Sequence, residues 1–189
     1  MIKPAILYKK ELQEKMAETW YDPEYEGYYD VNPGIPDIPD KPDNQYQFVS
    51  ISEDGELLGF FSYWVYEPVQ RAMNFGLMAF KKNNRTFMKD CEQMFRDIFE
   101  KYGLSSMEWR CYATNKNALK LYRHIIKKYG GVEVGTLRWS GCNQRRMICD
   151  TVIFEITRYD LHWDYDNWKI LTNKEYNKKM KELEEVLSY

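Results

Sequence analysis

The chain has 189 residues, 44% of them hydrophobic, which suits one domain with a sizeable core and is short for two. Its 27 basic and 29 acidic residues leave a formal charge of −2, so no global field selects nucleic acid or an anionic membrane. No apolar run approaches the roughly 18–20 residues that cross a bilayer. Taken in order, residues 5–8 read as a short strand and 11–20 as a helix. Prolines at 33, 36, 39 and 42 preclude a regular helix or interior strand in the acidic, tyrosine-rich stretch 21–45. Segments 46–52 and 57–66 form a hairpin signalled by Asp54-Gly55, and 72–80 is a further strand. Residues 86–102 make an amphipathic helix with Phe87, Met88, Cys91, Met94, Phe95, Ile98, Phe99 and Tyr102 inward and Gly103 as its stop. A strand at 107–112, a helix from 115 or 117 to 129, and strands at 132–140 and 146–157 follow. Residues 173–187 form a charged last helix.

Cys91, Cys111, Cys142 and Cys149 contain no Cys-x-x-Cys pair and read as reduced thiols of a cytoplasmic protein. The first ten residues lack the apolar core of a signal peptide, in keeping with that compartment. His124 and His162 have no thiol or carboxylate at ligand spacing, so no metal is expected.

The helix after strand 107–112 carries most of the functional information. Ala118, Leu121, Tyr122, Ile125, Ile126 and Tyr129 recur on one face, Asn115 or Asn117 can cap its start, and Gly130-Gly131 end it. A core helix with a tyrosine hydroxyl at its border satisfies the same pattern. A second feature lies at 81–89, Lys-Lys-Asn-Asn-Arg-Thr-Phe-Met-Lys, where cations crowd a helix start that is already positive and only Asp90 opposes them. An anion there, a diphosphate for instance, would make the placement favourable. A solvated basic turn is the plain alternative.

Strand, Asn-x-x-Ala-x-x-Leu-Tyr helix, glycine and strand together resemble the acceptor-side half of the GNAT acyl-CoA N-acyltransferase superfamily. The order β-α-loop-β-β-β-α-β-α-β-β matches that family over about residues 5–160, and the closing strand 149–158 is similar too. The resemblance implies a mixed, mostly antiparallel α/β sheet of about seven strands flanked by helices. Residues 1–160 would form the acyltransferase-like domain, with 161–189 as a helical extension packed on it. It further implies acetyl-CoA as co-substrate, with Asn115 near the pantetheine arm and Tyr122, seven residues on, protonating the departing thiolate. The pyrophosphate would sit at 82–87, with a polarising N–H in the 72–80 strand around Met78 or Ala79. Cofactor contacts then fall to Met78, Phe80, Lys82, Asn83, Asn84, Arg85, Thr86, Phe87 and Asn115.

The family's phosphate loop reads Gln/Arg-x-x-Gly-x-Gly/Ala. Here Lys82 stands at the first position, and Arg85 and Phe87 replace the glycines that let backbone approach phosphate. Residues 84–87 resemble instead a divergent branch with Asn-Lys/Arg-Thr-Phe before the helix. The glutamate that some members carry at position 110 is an arginine, which leaves Glu108, Asp150 or an acid of loop 22–30 as a water-relayed base. Asp22, Glu24, Glu26 and Asp30, interleaved with aromatics, suit a cationic small-molecule or peptide amine. Arg138 could oppose an acceptor carboxylate. The expected protein is thus an N-acetyltransferase, a monomer or homodimer that binds neither membrane nor nucleic acid. The competing reading is a catalytically silent relative whose aromatic loop holds a macromolecular partner.

Overall fold

The computed structural model of the chain describes residues 1–21, 37–39, 43–81, 83–143 and 145–187. Nine strands are named in chain order: β1 (Ile2–Pro4), β2 (Gln45–Ile51), β3 (Leu57–Tyr66), β4 (Arg71–Ala79), β5 (Ser106–Tyr112), β6 (Val132–Cys142), β7 (Ile148–Thr157), β8 (His162–Asp164) and β9 (Lys169–Leu171). Four helices join them: α1 (Lys9–Tyr21), α2 (Arg85–Glu100), α3 (Lys116–Tyr129) and α4 (Asn173–Leu187). Seven strands form one sheet in the order β1-β2-β3-β4-β5-β7-β6, antiparallel throughout except where β4 meets β5. This is the mixed, mostly antiparallel sheet that the sequence predicts.

β3 borders both core layers, and a bulge at Leu58, opposite Ser50–Ile51, breaks its simple alternation. Leu58, Phe61 and Tyr63 join the larger cluster with α2 and α3, whereas Phe60 joins Leu12 and Met16 of α1. Ile38, in the short described piece of the proline-rich stretch, is buried in that second cluster, and Gln47 Nε2 donates to the Asp37 carbonyl at 2.9 Å. Helix α2 buries Phe87, Cys91, Met94, Phe95, Ile98 and Phe99, a stripe at helical spacing worth roughly 1.5–3 kcal/mol for each large side chain. Met88, expected inward, is 41% exposed because it lies a hundred degrees around from Phe87. On α3 the buried side chains are Leu119, Tyr122 and Tyr129, while Leu121, Ile125 and Ile126 are half-buried. Leu119 is a core residue that the expected stripe omitted.

Several element boundaries differ from expectation by one or two residues, among them the starts of α1 and β7 and the end of α2, and three differences are larger or more telling. Residues Ala5–Tyr8 form a 3-10 turn instead of a strand, with the strand just ahead of it. Four apolar residues in a row do not distinguish the two by period. β6 runs two residues further than expected, to Cys142, which pairs with Ile148. The β8–β9 hairpin was not foreseen, since three-residue strands carry no periodic signal. Against it packs α4: the Tyr176 ring stacks on His162 at 3.7 Å and Lys179 pairs with Asp164 at 3.3 Å.

Candidate active site

The parallel ladder between β4 and β5 contains only Arg71↔Ser106 and Ala72↔Met107, and the strands part beyond it. A bulge in β4 contributes. Trp64 pairs with Met73 and Ser62 with Gly76, so two residues, Asn74 and Phe75, oppose Tyr63 alone, and Asn74 takes φ +52. Past the bulge, the Phe80 N–H donates to the Leu58 carbonyl at 2.9 Å. Strand alternation therefore turns the N–H groups of Met78 and Phe80 toward β3, and those of Leu77 and Ala79 toward the gap. The side chains of Met78 and Phe80 pack on the cluster under α1. Of the sequence-predicted donors in this strand, Ala79 faces the opening and Met78 does not.

One wall of the gap is the start of α2. Asn84 caps it, its side chain accepting from the Phe87 N–H at 2.9 Å, while Asn83 adopts φ +54, a left-handed conformation that asparagine tolerates. The N–H groups of Arg85 and Thr86 have no partner among the described residues. Lys82 lies outside the described residues. Phe87 turns inward, 2% exposed, and stacks on Phe61 at 5.2 Å. It lies over Gly59 of β3, where an added Cβ would come within 2.1 Å of the ring and 2.5 Å of the Met78 carbonyl oxygen. The loop lacks glycine, yet the Phe87 ring points into the core, and the space for it is made at Gly59 of β3. Asp90, expected to offset the cations, instead accepts from Ser50 Oγ at 2.6 Å and from the Met1 amino group at 2.9 Å. Lys81 makes a long exposed pair with Glu56 at 3.8 Å, and Arg85 and Lys89 have no ion pair among the described residues.

The other wall is α3. Asn115 supplies its cap, accepting from the Ala118 N–H at 3.0 Å, and the Cys111 thiol donates toward the Asn115 carbonyl at 3.8 Å. Tyr122, 4% exposed, sets its ring edge-on to Trp109 and Phe154 at 5.8 and 5.6 Å. Burial, and then the neighbouring Cys111 and Cys91 thiols, push its phenol well above the ordinary value, so it stays protonated at neutral pH. The Tyr122 ring therefore lies on the core side of α3, against β5 and β7. Burial likewise pushes the Cys111 thiol up to about 11, so it is no nucleophile at neutral pH.

The proposed bases are occupied. Glu108 accepts from Arg71 at 2.7 Å and from Arg110 at 2.8 Å, and Arg71 also pairs with Glu155 at 2.7 Å. Burial alone would raise the Glu108 pKa, but the hydrogen bonds from Arg110 and Arg71 outweigh it and hold the carboxyl below its ordinary range. Asp150 accepts from the Trp139 N–H at 2.9 Å. Asp22, Glu24, Glu26 and Asp30 of the acidic loop lie outside the described residues. Arg138 is exposed on β6. No group of three or more His, Cys, Asp or Glu able to hold a metal occurs among the described residues.

No protein-family model matches the sequence, and no curated protein matches it well enough to count. Solved structures do match. The spermidine/spermine N-acetyltransferase SpeG of Vibrio cholerae aligns over 61% of this chain and 66% of its own, with 17% identity and a TM-score of 0.53. A chimera of that enzyme with hSSAT aligns over 61% and 69%, with 17% identity and a TM-score of 0.54. A protein named "Probable acetyltransferase" aligns over 61% and 63%, with 18% identity and a TM-score of 0.52. The chain thus spans about two thirds of the length of the structures it matches. At such identities the likeness concerns architecture. The sheet order, the single parallel pair that opens into a gap and the helices beside it, together with these matches, establish that the chain has the GNAT N-acetyltransferase fold.

Proposed function

We propose that the protein is an acetyl-CoA-dependent N-acetyltransferase that passes the acetyl group directly to a primary amine. The observation that carries this reading is Tyr122 of α3, a phenol kept protonated by burial and packed on Trp109 of β5, one of the two strands that part to form the gap. The residues fit the co-substrate. Unpartnered N–H groups of Arg85 and Thr86, with the cations Arg85 and Lys89, suit its diphosphate. In this reading Asn83, Asn84 and Phe87 shape that turn and Asn115 borders the pantetheine arm, whereas Met78 and Phe80, with N–H groups toward β3 and side chains under α1, do not face it. Bound there, acetyl-CoA supplies an activated thioester.

The Leu77 and Ala79 N–H groups, which face the gap, polarise the thioester carbonyl. Tyr122 gives its proton to the sulfur as the carbon–sulfur bond breaks and the carbon–nitrogen bond forms. The proton lost by the amine leaves through water, since Glu108 is held by two arginines. The acceptor is a small-molecule or peptide amine, and a cationic one suits the acidic loop 21–45. Spermidine, named in the structural neighbours, belongs in the first screen. The reduced cysteines suit a cytoplasmic enzyme, a monomer or homodimer, with 161–189 packed as an extension of the acyltransferase domain.

Calorimetric titration with acetyl-CoA, followed by an amine screen, tests the proposal. Saturable binding and turnover are expected. No binding at millimolar acetyl-CoA would overturn it. The engaged Glu108 favours the silent-fold reading, and binding without turnover on any amine would select it.

A further inference from the structure

A second region gathers charge away from the gap. Helices α2, α3 and α4 line an open cleft of about 1200 Å³. On its α4 side stand Lys174, Lys178 and Lys181, spaced four and three residues apart and so on one face of the helix. Opposite stand Arg96 of α2 and Lys127 and Lys128 of α3. Among the described lining residues only Glu92 and Glu175 are acidic, and both are engaged; beyond the lining, Glu100 pairs with Arg96 at 3.7 Å and Glu182 with Lys178 at 3.6 Å. Glu92 accepts from Lys128 at 2.6 Å, and Glu175 accepts from the Thr172 N–H at 2.7 Å as part of the α4 cap. Lys127, Lys174 and Lys181 have no ion-pair partner among the described residues.

Two facing walls of the same sign repel, and a helix pair that only needed to pack would carry opposite charges or apolar side chains there. The C-terminal turn of α3 gives Lys127 and Lys128 a local reason, but Lys174 sits in the first turn of α4, where a cation is unfavourable. Nor is the α4 position explained by the cleft itself. It is fixed outside the cleft by the Tyr176–His162 stack and the Lys179–Asp164 pair, and at the cleft's edge by the Asn173 amide donating to the Lys127 carbonyl at 3.0 Å. The excess is local, since the chain as a whole carries −2.

We infer that this cleft is a binding site for a small oligophosphate anion, inorganic or nucleotide-borne, seated between the lysine stripe of α4 and the cations of α2 and α3. A concave space bounded by three helices fits a compact ligand better than an extended polyanion. The site is separate from the proposed acetyl-CoA loop: Glu92 and Arg96 lie roughly 10–16 Å along α2 from Arg85, by helical rise.

The test is calorimetry with sodium tripolyphosphate at near-physiological salt. Wild type is expected to bind saturably, and Lys174→Gln/Lys178→Gln/Lys181→Gln to bind at least about tenfold more weakly, as loss of three charge-assisted contacts demands. Arg85→Glu should bind as wild type does, and saturating acetyl-CoA should not displace the anion. Without any anion the triple variant should melt higher than wild type, because repulsion is relieved; a packing role for the lysines would lower it. Lys127→Gln, on the opposite wall, should weaken binding independently of how α4 docks. Adenosine triphosphate binding more tightly than tripolyphosphate would indicate the nucleotide source, and equal binding the inorganic one. No binding by wild type, full affinity in the triple variant, loss in Arg85→Glu or displacement by acetyl-CoA would each overturn the assignment. So would affinity for single-stranded DNA that keeps rising with strand length.

Discussion

Helices α2 and α3 start with the same device. In each, an asparagine side chain accepts from the N–H three residues on, Asn84 from Phe87 at 2.9 Å and Asn115 from Ala118 at 3.0 Å. The third helical residue then sets them apart. In α2 it is a phenylalanine driven into the core over Gly59, and the outer face keeps two unpartnered N–H groups beside unpaired cations. In α3 it is a half-buried part of the core layer, Ala118, and the distinctive side chain, Tyr122, comes one turn later and is buried. In the proposed reading, a loop that admits phosphate needs bare backbone on its outer side only. The glycine that the α2 loop lacks reappears across the core as Gly59 on β3, and the left-handed turn falls to Asn83. A second lesson concerns Asn115. Its side-chain oxygen already accepts one hydrogen bond at the cap, so the Nδ2 amide is the group with donors to offer a ligand.

The largest expected effect falls on the α3 wall. Tyr122→Phe should reduce turnover about 10²–10⁴-fold, the usual worth of a general acid, with acetyl-CoA affinity and thermal stability nearly unchanged because the ring contacts remain. Steady-state rates with an amine from the screen, beside calorimetry on the same variant, measure this. Undiminished turnover would reduce α3 to packing. On the α2 wall the expected effect is structural. Gly59→Ala should destabilise the fold by about 1–3 kcal/mol, the range for overpacking a filled core. Adding Phe87→Leu should recover part of that loss in urea unfolding. If the double variant is no more stable than the sum of its parts allows, Phe87 and Gly59 are not coupled.

The contrast also explains what the sequence disclosed. The stripe on α2 and the hairpin at Asp54-Gly55 were legible because period and turn chemistry are local. So was the core face of α3, Leu119 apart. The order of elements then implied the sheet. What remained hidden depends on partners distant in the chain. Gly59 reads as an ordinary strand glycine until Phe87 is seen above it, and Asp90 reads as the one acid opposing the cations at 81–89 until Ser50 and the Met1 amino group claim it. The bulge at Asn74 and Phe75 has no compositional mark, though it helps part β4 from β5 and decides that Ala79 faces the gap. The aromatic loop, most of it outside the described residues, keeps its proposed acceptor role on composition alone.

At the closed end of the gap, where both walls are rooted, Arg71 of β4 ties Glu108 of β5 to Glu155 of β7. Glu108→Gln should cost about 1–3 kcal/mol by leaving Arg71 and Arg110 short of an anion. The pH dependence has a definite sign. The folded-state pKa of Glu108 is depressed from 4.5, so its contribution is fully present above that value and is lost as pH falls through the depressed one. Wild type and variant should therefore converge in stability toward acid pH. A constant difference down to strong acid would mean the ion pairs do not stabilise the root.

The caps offer a finer comparison. Asn84→Ala and Asn115→Ala should each lower stability by about 1 kcal/mol, since both lose the same kind of hydrogen bond. A difference well beyond that between the two would show that one asparagine does more than cap.

Arg85→Glu is expected to have the smallest effect and is the most direct probe of the α2 wall. The side chain is exposed and has no ion pair among the described residues, so folding should be unaffected. A glutamate in the first turn even suits the helix dipole, by a few tenths of a kcal/mol. Stability and ligand binding are therefore predicted to move in opposite directions. The melting temperature should hold or rise slightly, while affinity for acetyl-CoA falls several-fold and depends less on salt, as one cation is removed from a solvated anion site. Calorimetry at two ionic strengths, with a melting curve on the same sample, reads both quantities. Affinity and salt dependence unchanged from wild type would show that the cations at 81–89 are a solvated turn, and the diphosphate would have to be sought elsewhere along the gap.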